Sequence, residues 1–203
     1  MARLDVLRSK AGERALFLRS FVAHPRTVGA VLPTSRRAVR DMLDLAPIPA
    51  ADQLVELGAG TGVYTAELLD RMSPDASLLA FEIDTRMATQ LAERIQDPRL
   101  RVVNESAEAL EATLAGRPAD AIVSGLPFTS LPVGARDAIL DAAKRALAPD
   151  GTMLVLQYSP LIQGELERRF GSVRRRISPL NVPPAFLFAC SRPGAAAQRS
   201  GMP

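Results

Sequence analysis

Between residues 53 and 158 the chain alternates short apolar runs with longer segments in which apolar residues recur every three or four positions. The short runs predict buried strands, and the longer segments predict amphipathic helices. Strands are predicted over 53–57, 77–83, 100–104, 120–124 and 152–158, with helices over 63–72, 85–96, 106–114 and 133–147. This alternation predicts right-handed crossovers and therefore an α/β fold, a mostly parallel sheet with helices on both faces.

The pattern changes after residue 158. A last helix is predicted over 160–170, and two strands follow over 173–177 and 185–190 with no helix between them. Two strands joined by a short proline-rich connection normally pair antiparallel. The sheet is therefore predicted to contain seven strands and to end in an antiparallel hairpin.

The first part of the chain predicts a separate amphipathic helix over residues 3–22, because its apolar residues share one helical face. Arginines flank this face, as they do in helices that lie in a lipid interface; a face that packs on the body is the alternative. The predicted membrane-binding residues are Arg3, Leu4, Leu7, Arg8, Arg14, Leu18 and Arg19. His24-Pro25 ends this helix, and Thr34-Ser35 is expected to cap a second helix over 36–45.

Three regions follow from these patterns: an N-terminal helical appendage over residues 1–49, a domain over 50–191, and a tail over 192–203 predicted to be disordered. Residues 1–40 hold nine Arg or Lys and two acidic residues, a net charge of +7, whereas the whole chain carries +3. The remainder is therefore mildly acidic. A basic arm on such a body indicates an anionic partner, with a solvated arginine-rich helix as the alternative.

Composition excludes several classes of protein. One cysteine and one histidine argue against a disulfide framework and against a metal site, so no metal is expected. No apolar run reaches 18 residues, and charged residues interrupt the first twenty positions, so neither a spanning helix nor a secretory signal is predicted. These features predict a cytoplasmic location.

The segment Val55–Gly62 carries the strongest motif, Glu56-Leu57-Gly58-Ala59-Gly60-Thr61-Gly62, at the end of the first strand. Its glycines allow a sharp turn and a close approach of the backbone to a ligand. The spacing differs from the dinucleotide pattern and from a P-loop. A purely structural turn is the alternative.

About twenty residues later the second strand ends at Glu82-Ile83-Asp84, where an acid can bind a ribose diol. Glu82 is the preferred residue for this role, and Asp84 is the competing acid unless it caps the next helix. Glu56, the glycine turn and Glu82 together resemble the class I S-adenosylmethionine (SAM)-dependent methyltransferases. The resemblance covers roughly residues 50–190 and implies a Rossmann-like class I methyltransferase fold.

The resemblance implies SAM as cofactor and S-adenosylhomocysteine as product, with Glu56 near the methionyl amine. The implied cofactor-binding residues are Glu56, Gly58, Gly60, Thr61, Gly62, Glu82, Ile83, Ser106, Ala107 and Ser124. Ser106-Ala107 stands where many relatives have Asp-Ala facing the adenine amino group. Glu105, Glu108 and the Ser106 hydroxyl are the alternatives for that contact.

The fourth strand ends at Ser124-Gly125-Leu126-Pro127-Phe128, where the transferred methyl should point. Enzymes that methylate base amines carry Asn-Leu-Pro-Tyr or Asp-Pro-Pro-Tyr there, so that a polar residue binds the amine and an aromatic ring stacks on the base. Ser124-Gly125 supplies neither an amide nor a carboxylate. A tight turn without a chemical role is the alternative.

A narrower resemblance covers nearly the whole chain up to Cys190. The segment Pro25–Arg36, the glycine turn, the Ser124–Phe128 segment, Gln157-Tyr158 and Asn181-x-Pro183-Pro184-Ala185 together resemble bacterial phospholipid N-methyltransferases. This implies methylation of the phosphatidylethanolamine amine, continuing through the mono- and dimethyl forms to phosphatidylcholine. The implied substrate-binding residues are Ser35, Arg36, Gly125, Leu126, Phe128, Tyr158 and Asn181.

Tyr158 is the candidate catalytic residue, expected to orient the amine or to favour the cationic product with its ring. A half-buried strand aromatic is the alternative. Candidate phosphate contacts are Arg36 and the cluster Arg168, Arg169, Arg174, Arg175 and Arg176. The expected partners are a phospholipid substrate and an anionic membrane surface, and no nucleic acid is expected. The protein is expected to be a monomer that binds peripherally to the inner membrane.

Three other functions remain open at this point. An RNA adenine dimethyltransferase has a similar glycine turn and Glu-Ile-Asp segment. A non-catalytic lipid- or RNA-binding protein could retain the fold, and so could a small-molecule methyltransferase, because the fold does not choose the substrate.

Overall fold

The computed structural model describes residues 35–179, 181 and 183–192. The helix predicted over 3–22, with all seven predicted membrane-binding residues, lies outside the described residues, as does the tail from residue 193. Those predictions stay predictions.

The described chain forms one seven-stranded sheet in the order β3-β2-β1-β4-β5-β7-β6. The strands are β1 Gln53–Leu57, β2 Ser77–Phe81, β3 Leu100–Val103, β4 Ala119–Ser124, β5 Leu147–Gln157, β6 Ser172–Ser178 and β7 Ala185–Ser191. Strands β1 to β5 run parallel, and β7 pairs antiparallel with both β5 and β6. The predicted α/β class and the terminal hairpin are confirmed.

Six α-helices accompany this sheet in the described residues: α1 Arg36–Leu43, α2 Val63–Arg71, α3 Thr85–Arg94, α4 Leu110–Leu114, α5 Val133–Ala146 and α6 Gln163–Arg169. Two differences from the predicted elements matter for the site. Strand β2 ends at Phe81, so Glu82 lies just beyond it. The helix predicted over 106–114 begins as a 3-10 turn at Ala107–Ala109, because the Ser106 hydroxyl accepts a hydrogen bond from the Glu108 N–H at 3.3 Å.

Alternate side chains of each strand enter two core layers on opposite faces of the sheet. Leu54 and Leu78 pack with buried residues of α1 and α2, whereas Val55 and Leu57 pack with those of α4, α5 and α6. Helices on both faces explain why β1 is buried along its whole length, including its two polar residues, Gln53 and Glu56.

Helix α1 is fixed to the last two strands by polar contacts. Ser35 caps it by accepting from the Ala38 N–H at 3.2 Å, and the Ser35 N–H donates to Asn181 Oδ1 at 3.1 Å. The Ser178 hydroxyl donates to Asp41 Oδ2 at 2.7 Å. This end of the predicted appendage therefore packs into the core of the domain, and the chain before Ser35 joins the body beside the β6–β7 connection.

Candidate active site

The parallel strands bring most predicted site residues to one edge of the sheet, its carboxyl edge. The glycine turn follows β1, Glu82 follows β2, Ser106 follows β3, Gly125 follows β4 and Tyr158 follows β5. Ligands of open α/β sheets bind at this edge. Residues far apart in sequence are thus placed side by side.

The glycine turn adopts a backbone that other residues rarely take. Gly58, Gly60 and Gly62 have φ angles of 78°, 52° and 72°. A Cβ atom on Gly58 would lie 2.7 Å from Leu126 Cδ2, so the turn is in contact with the loop after β4. At Gly60 no described atom lies within 4 Å of the position of a Cβ, so its backbone borders open space where a ligand can approach.

Glu82 is buried at the edge of that space. Its Oε2 accepts from the Gly60 N–H at 2.7 Å and its Oε1 from the Asp84 N–H at 2.9 Å. Burial raises the pKa of this carboxyl, an effect that the two backbone donors oppose. Asp84 caps α3 by accepting from the Met87 N–H at 2.9 Å, which confirms the capping interpretation of this acid.

Glu56 lies at the end of β1 and is completely buried. Its Oε2 accepts from the Thr65 hydroxyl at 2.6 Å, whereas its Oε1 has no hydrogen-bond partner among the described residues. Burial raises the pKa of the Glu56 carboxyl to about 8. A buried acceptor without a partner is costly and is suited to a cationic donor of a ligand.

These features fit SAM. The unpaired Glu56 oxygen would hold the methionyl ammonium, the open backbone at Gly60 would border the cofactor, and the Glu82 carboxylate would hold the ribose hydroxyls. When bound, SAM supplies an electrophilic methyl group on a sulfonium centre. Among the described residues no cluster of three or more His, Cys, Asp or Glu could hold a metal ion.

The adenine contact remains a prediction. The Ser106 hydroxyl is engaged in capping the 3-10 turn, and Ala107 is buried. Asn104, which the sequence motifs did not indicate, donates from its side chain to the Glu82 carbonyl at 2.9 Å and to the Ile83 carbonyl at 3.3 Å. It therefore holds the loop that carries Glu82. A polar residue directly after an apolar strand was the only sequence signal for it.

The loop after β4 carries three of the implied substrate-binding residues, Gly125, Leu126 and Phe128, and the structure differs from the expectation at the last of them. The Gly125 N–H donates to the Leu57 carbonyl at 3.1 Å, and Leu126 is half-buried. Phe128 is 0% exposed and packs in the core layer of α4, α5 and α6. The expectation that its ring faces the substrate is corrected, because burial among core side chains leaves it no surface to present. Ser124 is buried as well, and its hydroxyl accepts from the Leu126 N–H at 3.3 Å.

Tyr158 is half-buried directly after β5 and packs against the core layer of α1 and α2. The neighbouring Gln157, not predicted from the sequence as a site residue, donates from its side chain to the Leu126 carbonyl at 2.8 Å and so ties β5 to the loop after β4. Arg36 is exposed at the start of α1. Both Asn181 side-chain atoms are engaged, one by Ser35 and the other by the Pro183 carbonyl at 2.7 Å.

The sheet order, the hairpin and the glycine turn are those of a class I methyltransferase. A family model described as a methyltransferase domain matches residues 54–151. The ornithine lipid N-methyltransferase of Singulisphaera acidiphila is 33% identical over 180 residues, which are 86% of this chain and 94% of that protein. The chain therefore belongs to the class I SAM-dependent methyltransferases, in the same family as this relative, and SAM is its cofactor.

Other similarities are more partial. The ribosomal RNA small subunit methyltransferase A of Cutibacterium acnes is 32% identical over 108 residues, and this chain spans 35% of its length. An O-methyltransferase family protein from Burkholderia thailandensis superposes with a TM-score of 0.62 at 16% identity, over 79% of this chain and 57% of that one. A 16S rRNA methyltransferase of T. thermophilus does so with a TM-score of 0.60 at 22% identity, over 81% and 44%. These structures support the fold alone.

Proposed function

We propose that the protein methylates the primary amine of a membrane lipid, with phosphatidylethanolamine and its mono- and dimethyl forms as substrates and phosphatidylcholine as the final product. The observation that carries the proposal is the similarity to a lipid N-methyltransferase over 94% of that protein's length. Ornithine and ethanolamine both present a primary amine, so the same chemistry serves either lipid. The reaction takes place at the inner membrane surface, to which the protein binds peripherally.

The site is suited to an amine because little acid–base chemistry is required. A free amine has already lost its extra proton, so alignment with the methyl donor and exclusion of water supply much of the acceleration. The loop from Gly125 to Pro132 and the turn from Tyr158 to Ile162 carry no charged residue. The Tyr158 hydroxyl orients the amine, and its ring stabilises the cationic product.

Arg36 is the proposed contact for the lipid phosphate, since it is exposed at the start of α1 near the β6–β7 connection. Its guanidinium can donate two parallel hydrogen bonds to phosphate oxygens. Asn181 supports this arrangement by holding Ser35, the residue before it, at 3.1 Å.

Transfer of labelled methyl from SAM tests the proposal. Phosphatidylethanolamine, ornithine lipid and phosphatidylcholine are presented separately in detergent micelles, and the lipids are extracted and separated by chromatography. Label in the phosphatidylethanolamine products is expected. The variant Tyr158→Phe is expected to have a lower kcat with a smaller change in KM. Label in ornithine lipid alone would reject the phospholipid substrate, and no label in any lipid, despite SAM binding, would reject lipid methylation.

One observation favours a second candidate, an RNA adenine methyltransferase: the 32% identity with a ribosomal RNA methyltransferase over 108 residues. Against it, Ser124-Gly125 replaces the amide or carboxylate that binds a base amine. Label recovered in total RNA, and lost after nuclease treatment, would favour this candidate over the lipid.

A further inference from the structure

In the part of the chain that the structure describes, three large hydrophobic side chains are strongly exposed. They are Val133 at 62%, Leu161 at 80% and Ile177 at 47% of their full surface. Single exposed apolar residues are common on soluble proteins and need no explanation. What distinguishes these three is that all of them lie at the carboxyl edge of the sheet.

The topology fixes their places. Val133 begins α5, after the loop that follows β4, and Leu161 lies in the turn that follows β5. Ile177 pairs with Phe186 in β7, which in turn pairs with Gln157, the last residue of β5. Ile177 therefore stands level with the end of β5.

All three also lie on the same side of the sheet. Phe186, whose side chain shares the face of Ile177, packs against the core layer of α4, α5 and α6. Val133 begins α5 and Leu161 precedes α6, and the buried residues of both helices belong to that layer. We name Val133, Leu161 and Ile177 the apolar rim; it lies beside the loops that carry Leu126 and Tyr158.

Acidic residues are absent from the chain segments that carry the apolar rim, and the nearest ones along α5 and α6, Asp137 and Glu165, are paired with arginines. The segments 125–135, 157–164 and 170–185 contain no Asp or Glu, whereas Arg174, Arg175 and Arg176 follow one another along β6. Arg176 is exposed beside Ile177 near the carboxyl end of β6, with its side chain on the opposite face of the sheet. Arg175 shares the face of Ile177 and donates to Gln163 Oε1 at 2.8 Å. Arginines on an edge strand also discourage strand pairing, but that role does not require apolar residues beside them.

An anionic bilayer matches this combination. Arginine side chains reach lipid phosphates while neighbouring apolar side chains enter the boundary of the acyl chains. A nucleic acid would bind the arginines but would leave Leu161 and Ile177 in water. The chain before Ser35, with its net positive charge, also joins the body near this edge, beside the β6–β7 connection.

We propose that the domain itself, through the apolar rim and Arg176, seats its carboxyl edge on the headgroup layer of an anionic bilayer, independently of the predicted N-terminal helix. This inference rests on the proposed lipid substrate and specifies how that lipid is reached. Seating this edge on the membrane places the amine of a lipid at the loops after β4 and β5 without lifting its acyl chains out of the bilayer.

The absence of tryptophan from the sequence gives a direct test. In the full chain, Leu161→Trp places the only indole on the apolar rim. The matched control is Arg117→Trp, which places it at an exposed position two residues before β4, at the opposite edge. Each variant is titrated with vesicles of phosphatidylglycerol and phosphatidylcholine in equal parts, and with phosphatidylcholine alone, while emission, quenching by iodide and co-sedimentation are recorded.

We expect the indole at position 161 to shift to shorter wavelength and to be protected from iodide on the anionic vesicles, and the indole at 117 to change little. Equal responses at the two positions, or no response at 161 although the protein sediments with the vesicles, would overturn the proposal. A failure of the protein to sediment with anionic vesicles would also overturn it. The same holds if the indole at 161 already emits at short wavelength without vesicles, or if its emission changes with an RNA oligonucleotide and not with vesicles.

A charge pair provides the second measurement. Arg176→Glu is expected to weaken partitioning onto the anionic vesicles by about five-fold or more, whereas Arg117→Glu changes it little. Equal losses would show that only net charge matters and would overturn the assigned orientation. Methyl transfer to lipids in detergent micelles does not require vesicle binding, so it separates a failure of this docking from a failure of the proposed function.

Discussion

The Thr65 hydroxyl donates a 2.6 Å hydrogen bond to Glu56 Oε2, across a gap of nine residues, from the first turn of α2 to the end of β1. The second oxygen of the same buried carboxyl has no partner among the described residues. Burial is the largest cause of the raised pKa of Glu56, about 8, and the Thr65 hydrogen bond opposes it. The carboxyl is therefore protonated at neutral pH until a cation faces it.

Replacing Glu56 with Gln should change how stability depends on pH. A carboxyl whose pKa rises on folding binds its proton more tightly in the folded state, so its contribution is complete below about pH 4.5 and is lost as pH rises toward 8. In that window the wild type should lose up to about 1.4 kcal/mol of unfolding free energy per pH unit relative to Glu56→Gln. Urea unfolding at several pH values measures this difference.

Thr65→Val is the companion variant. It removes the hydrogen bond that lowers the pKa of Glu56 while keeping the volume of the side chain, so the loss of stability should continue to higher pH, with the same onset near pH 4.5. Parallel pH profiles for the wild type and Glu56→Gln would show that the Glu56 carboxyl does not titrate in this range.

Glu82 and Asp84 should differ in their effect on SAM binding although both are acids in one loop. Glu82→Gln removes the negative charge that accepts hydrogen bonds from the Gly60 and Asp84 N–H groups. A hydrogen bond to a charged group contributes about 1.5–3 kcal/mol to stability or binding. We expect SAM affinity to fall about 10- to 100-fold by calorimetry. Asp84→Asn keeps a good helix cap and should leave the affinity nearly unchanged. A reversed order of the two effects would transfer the ribose contact to Asp84.

The fold class could be predicted from the sequence because the hydrophobic periodicity of each segment matches the element that the sheet topology requires there. Strand β1 is buried along its whole length since helices cover both of its faces, and its apolar residues Leu54, Val55 and Leu57 reflect this. The short link between Ser178 and Ala185 leaves no room for a crossover helix. The glycine motif also predicted the turn whose φ angles are positive.

The sequence could not distinguish a side chain at a site from one in the core. Phe128 occupies the position of a stacking aromatic in related motifs, yet its ring enters the core, a choice that depends on the packing of α5 and not on the motif. The Asn104 contact with the Glu82 carbonyl joins residues 22 positions apart that follow two separate strands. Such contacts arise only from the sheet order, which no local pattern encodes.

Two glycines, both with positive φ angles, provide a test of where the cofactor binds. Gly60 and Gly116 have φ angles of 52° and 86°, and at neither position does a described atom lie within 4 Å of the place that a Cβ would occupy. Alanine at either position should lower the unfolding free energy by about 1 kcal/mol, because L residues are strained in this region. Only Gly60→Ala should also weaken SAM binding, by about ten-fold or more, which is about 1.4 kcal/mol. Equal SAM affinities of the two variants would place the cofactor elsewhere.

Arg99 should contribute to stability without affecting the site. Its guanidinium donates to the Leu69 carbonyl at 3.0 Å at the end of α2 and pairs with Asp97 at 2.7 Å, a contact that lowers the pKa of Asp97 to about 2. Because the pKa of Asp97 is lowered, its contribution is present above about pH 4 and is lost as pH falls toward 2. Arg99→Ala should clearly lower the free energy of unfolding at pH 7, since it leaves the carbonyls at the end of α2 without their donor and leaves Asp97 only the backbone N–H of residue 99.

The matched control for Arg99 is Arg145→Ala, which breaks an exposed pair with Glu111 at 2.6 Å. Exposed pairs contribute little because water screens both charges, so the unfolding free energy should change by less than about 0.5 kcal/mol. Urea unfolding gives both values, and calorimetry should show wild-type SAM affinity for both variants, because Arg99 lies at the amino edge, away from the glycine turn. If fully folded Arg99→Ala bound SAM more weakly than the wild type, the carboxyl end of α2 would be coupled to the glycine turn that precedes this helix.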